Sequence, residues 1–357
     1  MHNTYICKKP RDSTAEIAPG DVISHRSPPV EHRPAGDVMM KKDQPAVKLY
    51  GTPFGIDTYY LRFALLYKPV ALKFVPSDSH DTAAIEYESD VVSGSVDSLV
   101  RYLDDKFPEP QLLTGAGARL GETATPVVVR VVALQHRSMV WHLERMARWA
   151  EDLAARRGKA RGDPAMGSPR MELKKFGRSY SQLLEVLLEH AQMEEKVVFP
   201  ILEKADRGLC RAANEKHARD LPVMNGIKED IKSIGVLDSG KPVYQEALSN
   251  LKTRLKTLKE HSKQHFEEEE RELLPLMEAT DLSKLQEVKA LEQCLDTMQG
   301  THSHLFRFFM EGLLPRDAMQ YMDMIARCSD NERVCRLFRL VVEKENSLGL
   351  AISNTLK

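Results

Sequence analysis

The chain has 357 residues, with 51 basic and 52 acidic side chains and a net charge of −1. No overall charge therefore draws it to nucleic acid or to an anionic membrane. Hydrophobic residues make up 42% and aromatics only 6%, enough for a sizeable core and a composition that favours helices over an all-β fold. The five cysteines lack C-x-x-C spacing, which argues against a disulfide framework or zinc ribbon and suits a reducing compartment. No apolar run approaches the length of a membrane span and no secretory leader is evident. The expected location is the cytoplasm, with the nucleus open.

Residues 1–45 are polar and carry Pro10, Pro19, Pro28, Pro29, Pro34 and Pro45, and read as a disordered lead. Residues 46–112 read as a small α/β domain. In it, a strand at Val47–Tyr50 is broken by Gly51-Thr52-Pro53-Phe54-Gly55. A helix over Asp57–Tyr67, a strand over Val70–Val75 and a helix over Ser95–Phe107 follow. Residues 113–125, with Gly115, Gly117 and Gly121, form a linker. From there helices are expected over 126–156, 172–205, 208–235, 242–279, 284–313, 315–328 and 331–353. A basic loop rich in Gly and Pro is expected over 157–171. Residues 126–281 form the helical domain and 282–357 a helical extension.

The feature that carries chemistry is an internal repeat. His190-Ala191-Gln192-Met193-Glu194-Glu195 leads to Pro200, and His265-Phe266-Glu267-Glu268-Glu269-Glu270 leads to Pro275, without a gap and 75 residues apart. Positions i and i+4 of a helix lie about 40° apart on one face. His190 with Glu194, and His265 with Glu269, each present an imidazole and a carboxylate to one point. Glu195 and Glu270 sit about 140° from their histidines and are expected to face solvent. A further histidine precedes each pair, His136 and His217. Imidazole with carboxylate suits iron, manganese or zinc. Paired His/Glu helices are one way to build a di-iron centre.

This ordered pattern resembles the hemerythrin-like, HHE-type cation-binding domain over about Val127–Thr280. The resemblance implies a non-haem di-iron centre in an up-down four-helix bundle. Its terminal imidazoles would be His136, His190, His217 and His265, and its bridging carboxylates Glu194 and Glu269. His261, four residues before His265, is placed as a fifth imidazole, and His142 outside the ligand set. The segment from Val47 to Pro110 is similar to a glutathione transferase N-terminal domain, which is thioredoxin-like. Gly55 stands where that family keeps its activating Ser or Cys, so glutathione chemistry is not expected and a docking or dimerising role is. His302 and His304 are placed in the fifth helix of the helical region as structural or surface groups.

The resulting reading is a mainly α protein with a small thioredoxin-like domain, a hemerythrin-like bundle and extra C-terminal helices. Its expected function is to sense or bind iron, O2 or NO without catalysis, and with no nucleic acid or membrane partner. A protein partner or second copy would meet the N-terminal domain. Two alternatives stand beside it: a di-iron enzyme acting on peroxide or NO, and a helical interaction protein with a structural metal.

Overall fold

The computed structural model describes residues 45–77, 83–113, 125–157, 168–204, 206–328 and 330–342. The expected lead, most of the linker, the heart of the basic loop and the end of the last expected helix lie outside the described residues.

The chain enters its first strand, β1 (Ala46–Gly51), where Val47 and Leu49 alternate inward with no exposure. The helix α1 (Ile56–Leu66) crosses to β2 (Ala71–Pro76), which pairs parallel with β1, Leu49 opposite Phe74. Two strands follow that the sequence reading did not contain, β3 (Ala84–Tyr87) and β4 (Asp90–Ser93). They form a hairpin that pairs antiparallel with β1 and gives the sheet order β2-β1-β3-β4. The hairpin turns at Glu88, which takes φ 55 without being glycine. Turn chemistry normally advertised by Gly or Asn was therefore silent, and strands of four residues are too short for their alternation to stand out. The helix α2 (Val96–Lys106) closes the unit; Ser95 caps it by accepting from the Ser98 N–H. Lys68 is buried but satisfied, donating to Asp104 at 2.7 Å and to the carbonyls of Phe107 and Pro110.

Four long helices carry the rest: α3 (Val127–Ala155), α4 (Pro169–Met193), α6 (Arg211–Val236) and α7 (Pro242–Glu268). α3 packs on α4 and α7, and α6 packs on the same two. Each helix thus meets two others and the four enclose one interior. α4 and α7 end alike. A π-helical turn, Glu194–Val198 or Glu269–Leu273, runs into a short helix, α5 (Phe199–Leu202), or into a 3-10 turn at Leu274–Thr280. The physical cause is Pro200 and Pro275, each of which lacks an N–H and would clash with the carbonyl four residues back. Widening the turn relieves this: the Phe199 N–H reaches the Glu194 carbonyl and the Leu274 N–H that of Glu269.

The helix expected over 284–313 is two helices, α8 (Lys284–Thr297) and α9 (Phe306–Glu311). The break comes at Gly300, whose N–H, with that of Thr301, is captured by the Glu189 carboxylate of α4 at 2.7 Å. A side chain at Gly300 would meet Glu185 and Glu189 oxygens at 2.4 and 2.8 Å, so a larger residue there would have to push these carboxylates aside. Beyond lie α10 (Pro315–Ile325) and α11 (Asn331–Val342). α8, α9 and α10 pack on α3, while α11 packs on α1 and α9. α1 is thereby buried on both sides, with Phe338 against Tyr60 and Phe63 at 5.8 and 6.4 Å between ring centroids. No helix among the described residues is long and apolar enough to cross a membrane.

Two buried histidines bond carbonyls of this extension, one from α3 and one from within it. His142 donates from Nε2 to the Phe308 carbonyl at 2.7 Å, and His302 from Nδ1 to the Met298 carbonyl at 2.8 Å. Burial pushes them down to about 3 and about 4. Below the ordinary value of 6.5 the unfolded chain takes up protons that these folded groups refuse, so stability present above that pH is lost toward acid. The melting temperature should fall between about pH 7 and about pH 4.5. His142→Gln, which keeps a donor and does not titrate, should fall by about 2 °C less over that range. Parallel curves for the two proteins would refute this account.

Candidate metal centre

α3 contributes His136, α4 His190, and the π turn after it Glu194. α6 contributes His217, α7 His265, and its π turn Glu269. Five of these six are buried to 4% exposure or less, a concentration of ionisable groups that an apolar helix interior does not accept without partners. They fall into two overlapping groups, His136, His190 and Glu194, and Glu194, His217, His265 and Glu269. Within each group the donor atoms lie inside 4.8 Å of one another.

Glu194 belongs to both. Its Oε1 stands 3.2 Å from His190 Nε2 and 3.5 Å from His136 Nε2, and its Oε2 stands 3.3 Å from His217 Nε2. Glu269 lies 3.5 Å from His265 Nε2 and 3.6 Å from His136 Nε2. The ring planes are fixed by stacking, His136 on Phe266 at 4.3 Å and His217 on Phe199 at 5.9 Å. The outer nitrogens are held as well. His136 Nδ1 bonds Glu270 at 2.9 Å, His217 Nδ1 bonds Glu195 at 3.0 Å and His190 Nδ1 bonds Gln135 at 2.9 Å. Glu195 and Glu270 are indeed half-exposed, but each turns back to orient the imidazole of a neighbouring helix. The sequence reading assigned them to solvent. The phase count shows where a residue leaves its own helix, not what a flexible carboxylate reaches on the next.

The electrostatics are those of a site that carries protons when no cation is bound. Burial drives Glu194 upward, but the three imidazoles that surround it, His190, His136 and His217, overcome it and hold the carboxyl well below its usual range. Burial and the neighbouring Glu194 push Glu269 the other way. Burial disfavours protonation of His136 and His217, yet Glu194 with Glu270 or Glu195 lifts both to about 9. Burial lowers His190, and pushes His265 down to about 3.

One observation tests whether a cation fits. Both ring nitrogens of His265 and both oxygens of Glu269 are buried without a hydrogen bond. Each such buried atom costs about 1–3 kcal/mol when left unpaired, and His265 Nε2 and both Glu269 oxygens face the other donors. Four imidazoles and two carboxylates without a thiolate form a set suited to iron, manganese or zinc, and a divalent cation held there satisfies His265 Nε2 and the Glu269 oxygens together, leaving His265 Nδ1 outside the donor set. A cavity of about 260 Å³ reaches the centre from between α4, α6 and α7. His190, His217 and His265 line it alongside Leu187, Met224 and Leu258.

His261 does not join either group. Its side chain is 37% exposed and its Nδ1 faces Asp220 at 3.3 Å. The i, i+4 relation to His265 holds, but the buried face of α7 (Leu251, Leu255, Leu258, Ser262) is centred on the far side of His265. His261 therefore falls about 100° from that centre, and Ser262 takes the inward position and lines the cavity. His142 is spent on the Phe308 carbonyl. His302 is buried in the turn before α9, while His304 is exposed beside Glu185 at 3.2 Å. Gln135 was missed because it follows no periodicity of its own; its one signal in the sequence is adjacency to His136.

Residues 127–277 match the hemerythrin HHE cation-binding domain family, under half of the chain. No curated protein and no solved structure matches. The matched stretch contains all six converging side chains and stops before α8. His265→Ala should remove close to one metal equivalent from the purified protein, whereas His261→Ala should leave the metal content at the wild-type level. A comparable loss in His261→Ala would reinstate it as a ligand.

Proposed function

We propose that the chain is a non-haem iron protein whose HHE domain holds two metal ions in an up-down four-helix bundle and binds or senses a small neutral ligand such as O2 or NO. The observation that carries this reading is the single carboxylate, Glu194, shared between two histidine sets and flanked by the orphaned Glu269. His136 and His190 would hold one ion, His217 and His265 the other, with Glu194 and Glu269 between them. Iron would supply a redox-active centre able to take a small ligand. His190, His217 and His265 line the cavity and would orient that ligand, with Leu187, Met224 and Leu258 giving it apolar walls beside polar Ser262 and Asn214. Glu195 and Glu270 keep the outer nitrogens of His217 and His136 protonated, so that each Nε2 faces inward.

The α/β domain is read as a thioredoxin-like scaffold, supported by its sheet order and by the parallel β1–β2 pair joined through α1. Gly55 caps the start of α1 and offers no thiol or hydroxyl, and a structural role without glutathione chemistry follows. Because α11 covers α1, this domain is the candidate receiver of changes at the centre.

The test is the iron, zinc and manganese content of tag-free protein. About two irons per chain are expected, falling to few in Glu194→Ala/Glu269→Ala. The ferrous protein should then change its absorption on exposure to O2 or NO. Negligible metal in a folded wild type would sink the reading, and turnover of NO or peroxide would convert it to an enzyme. Leu221→Trp, at the rim of the cavity, should slow ligand association severalfold at unchanged iron content. Equal rates would place the ligand's route elsewhere.

A further inference from the structure

The two halves of the centre are not equivalent, and the difference points away from the matched domain. His265 Nδ1 has no hydrogen bond, while His190 Nδ1 meets the Gln135 amide oxygen at 2.9 Å. The Gln135 Nε2 lies 3.3 Å from the Tyr321 hydroxyl, and that hydroxyl lies 2.7 Å from His302 Nε2. His302 Nδ1 lies 2.8 Å from the Met298 carbonyl. Every side chain in this series is buried, and Gln135 and Tyr321 have no exposure at all. Tyr321 stands on α10 and His302 in the turn between α8 and α9. Both belong to the C-terminal extension, outside the matched residues. Beside His217, where the second half would carry the counterpart of Gln135, stands Lys216, which pairs outward with Glu268.

The direction of each hydrogen bond is determined from the far end. A carbonyl only accepts, so His302 Nδ1 carries the proton and donates to Met298. Burial pushes His302 down to about 4, so at neutral pH it has no second proton and Nε2 accepts. Tyr321 is protonated, its phenol pushed upward by burial, and donates to that nitrogen. Its oxygen is then left to accept from the Gln135 amide N–H. This orientation turns the Gln135 carbonyl oxygen to His190, whose Nδ1 must donate. The reverse orientation needs a doubly protonated His302. Two of the neighbouring contacts fix the outer end in place: Glu189, next to His190, captures the Gly300 and Thr301 N–H groups, and the Tyr321 ring lies parallel to that of His302, 2° between planes.

We propose that Tyr321 is a positioning residue for the metal centre. Through Gln135 it holds His190 in the Nδ1–H tautomer and so keeps the Nε2 lone pair aimed at the metal. The inference rests on the reading of His190 as a ligand. Without the hydroxyl the Gln135 amide is free to turn over and present its N–H₂ to His190. That orientation favours the Nε2–H tautomer, which cannot coordinate through Nε2. The C-terminal extension is thus a working part of the site, and one of the two metal positions depends on it.

The experiment compares full-length wild type, Tyr321→Phe, and Tyr321→Phe/Gln135→Glu. A carboxylate at position 135 only accepts and cannot turn over, so it restores the Nδ1–H tautomer without Tyr321. Histidine ring nitrogens are read by ¹⁵N NMR on metal-free protein, the His190 signals being assigned by their loss in His190→Ala. Ferrous iron affinity is read anaerobically by chelator competition. Wild type should show His190 protonated at Nδ1. Tyr321→Phe should show a mixture or the Nε2–H form and should lose about tenfold or more in affinity for one of two equivalents. The double variant should recover both. A wild-type tautomer and affinity in Tyr321→Phe would overturn the proposal. So would a loss that Gln135→Glu does not repair, which would mark Tyr321 as packing only. If His190→Ala leaves iron binding intact, the metal reading at His190 fails, and the tautomer comparison in metal-free protein still decides the relay.

Discussion

Four imidazoles and two carboxylates share one largely buried interior in this protein, and the surrounding structure answers that burden. Charges there attract or repel strongly because little water screens them. Glu194 is stabilised as an anion by three imidazoles, while Glu269, beside Glu194, is driven toward the neutral acid. The atoms of His265 and Glu269 that find no hydrogen bond are the part of this arrangement that protein groups alone leave incomplete. A bound cation would remove the conflict between the two carboxylates and supply the missing partner to both.

The backbone is shaped around the same groups. Both carboxylates sit at the first residue of a π turn, and both turns are produced by a proline six residues on. The wide turn sets each carboxylate beside its histidine and sends the next residue, Glu195 or Glu270, across to an imidazole on another helix. One sequence device thus provides an inward carboxylate and an outward orienting group, and it occurs twice. The duplication stops at Gln135 and Lys216. There the half covered by α8–α10 gains a buried hydrogen-bond series, and the other half opens on the cavity.

The extension is joined to both remaining parts of the chain. Glu189 ties the turn at Gly300 to α4, Ser138 and His142 tie α9 to α3, and Phe338 and Arg339 of α11 lie on α1. Rearrangement at His190 has a packed, fully buried route through Tyr321 into these helices. The α/β unit is therefore not a bead on a linker: its helix α1 shares a core with the C-terminal helix.

The sequence by itself determined the long helices and the six converging side chains, a donor set compatible with a cation. Those depend on i, i+4 spacing and on an ungapped repeat, which are properties of single helices. It also determined β1, α1, β2 and α2, because each carries its own apolar period. The β3–β4 hairpin, with four-residue strands and a turn through Glu88, left no such signature. Neither did the break at Gly300, which a carboxylate on another helix decides. Only the tertiary structure set the centre of the buried face of α7, and so sent His261 to Asp220 instead of the centre. It alone brought Glu195, Glu270 and Gln135 to the outer nitrogens, and Tyr321 to Gln135. Such contacts pass between helices, where spacing along the chain carries no information about what a side chain will meet.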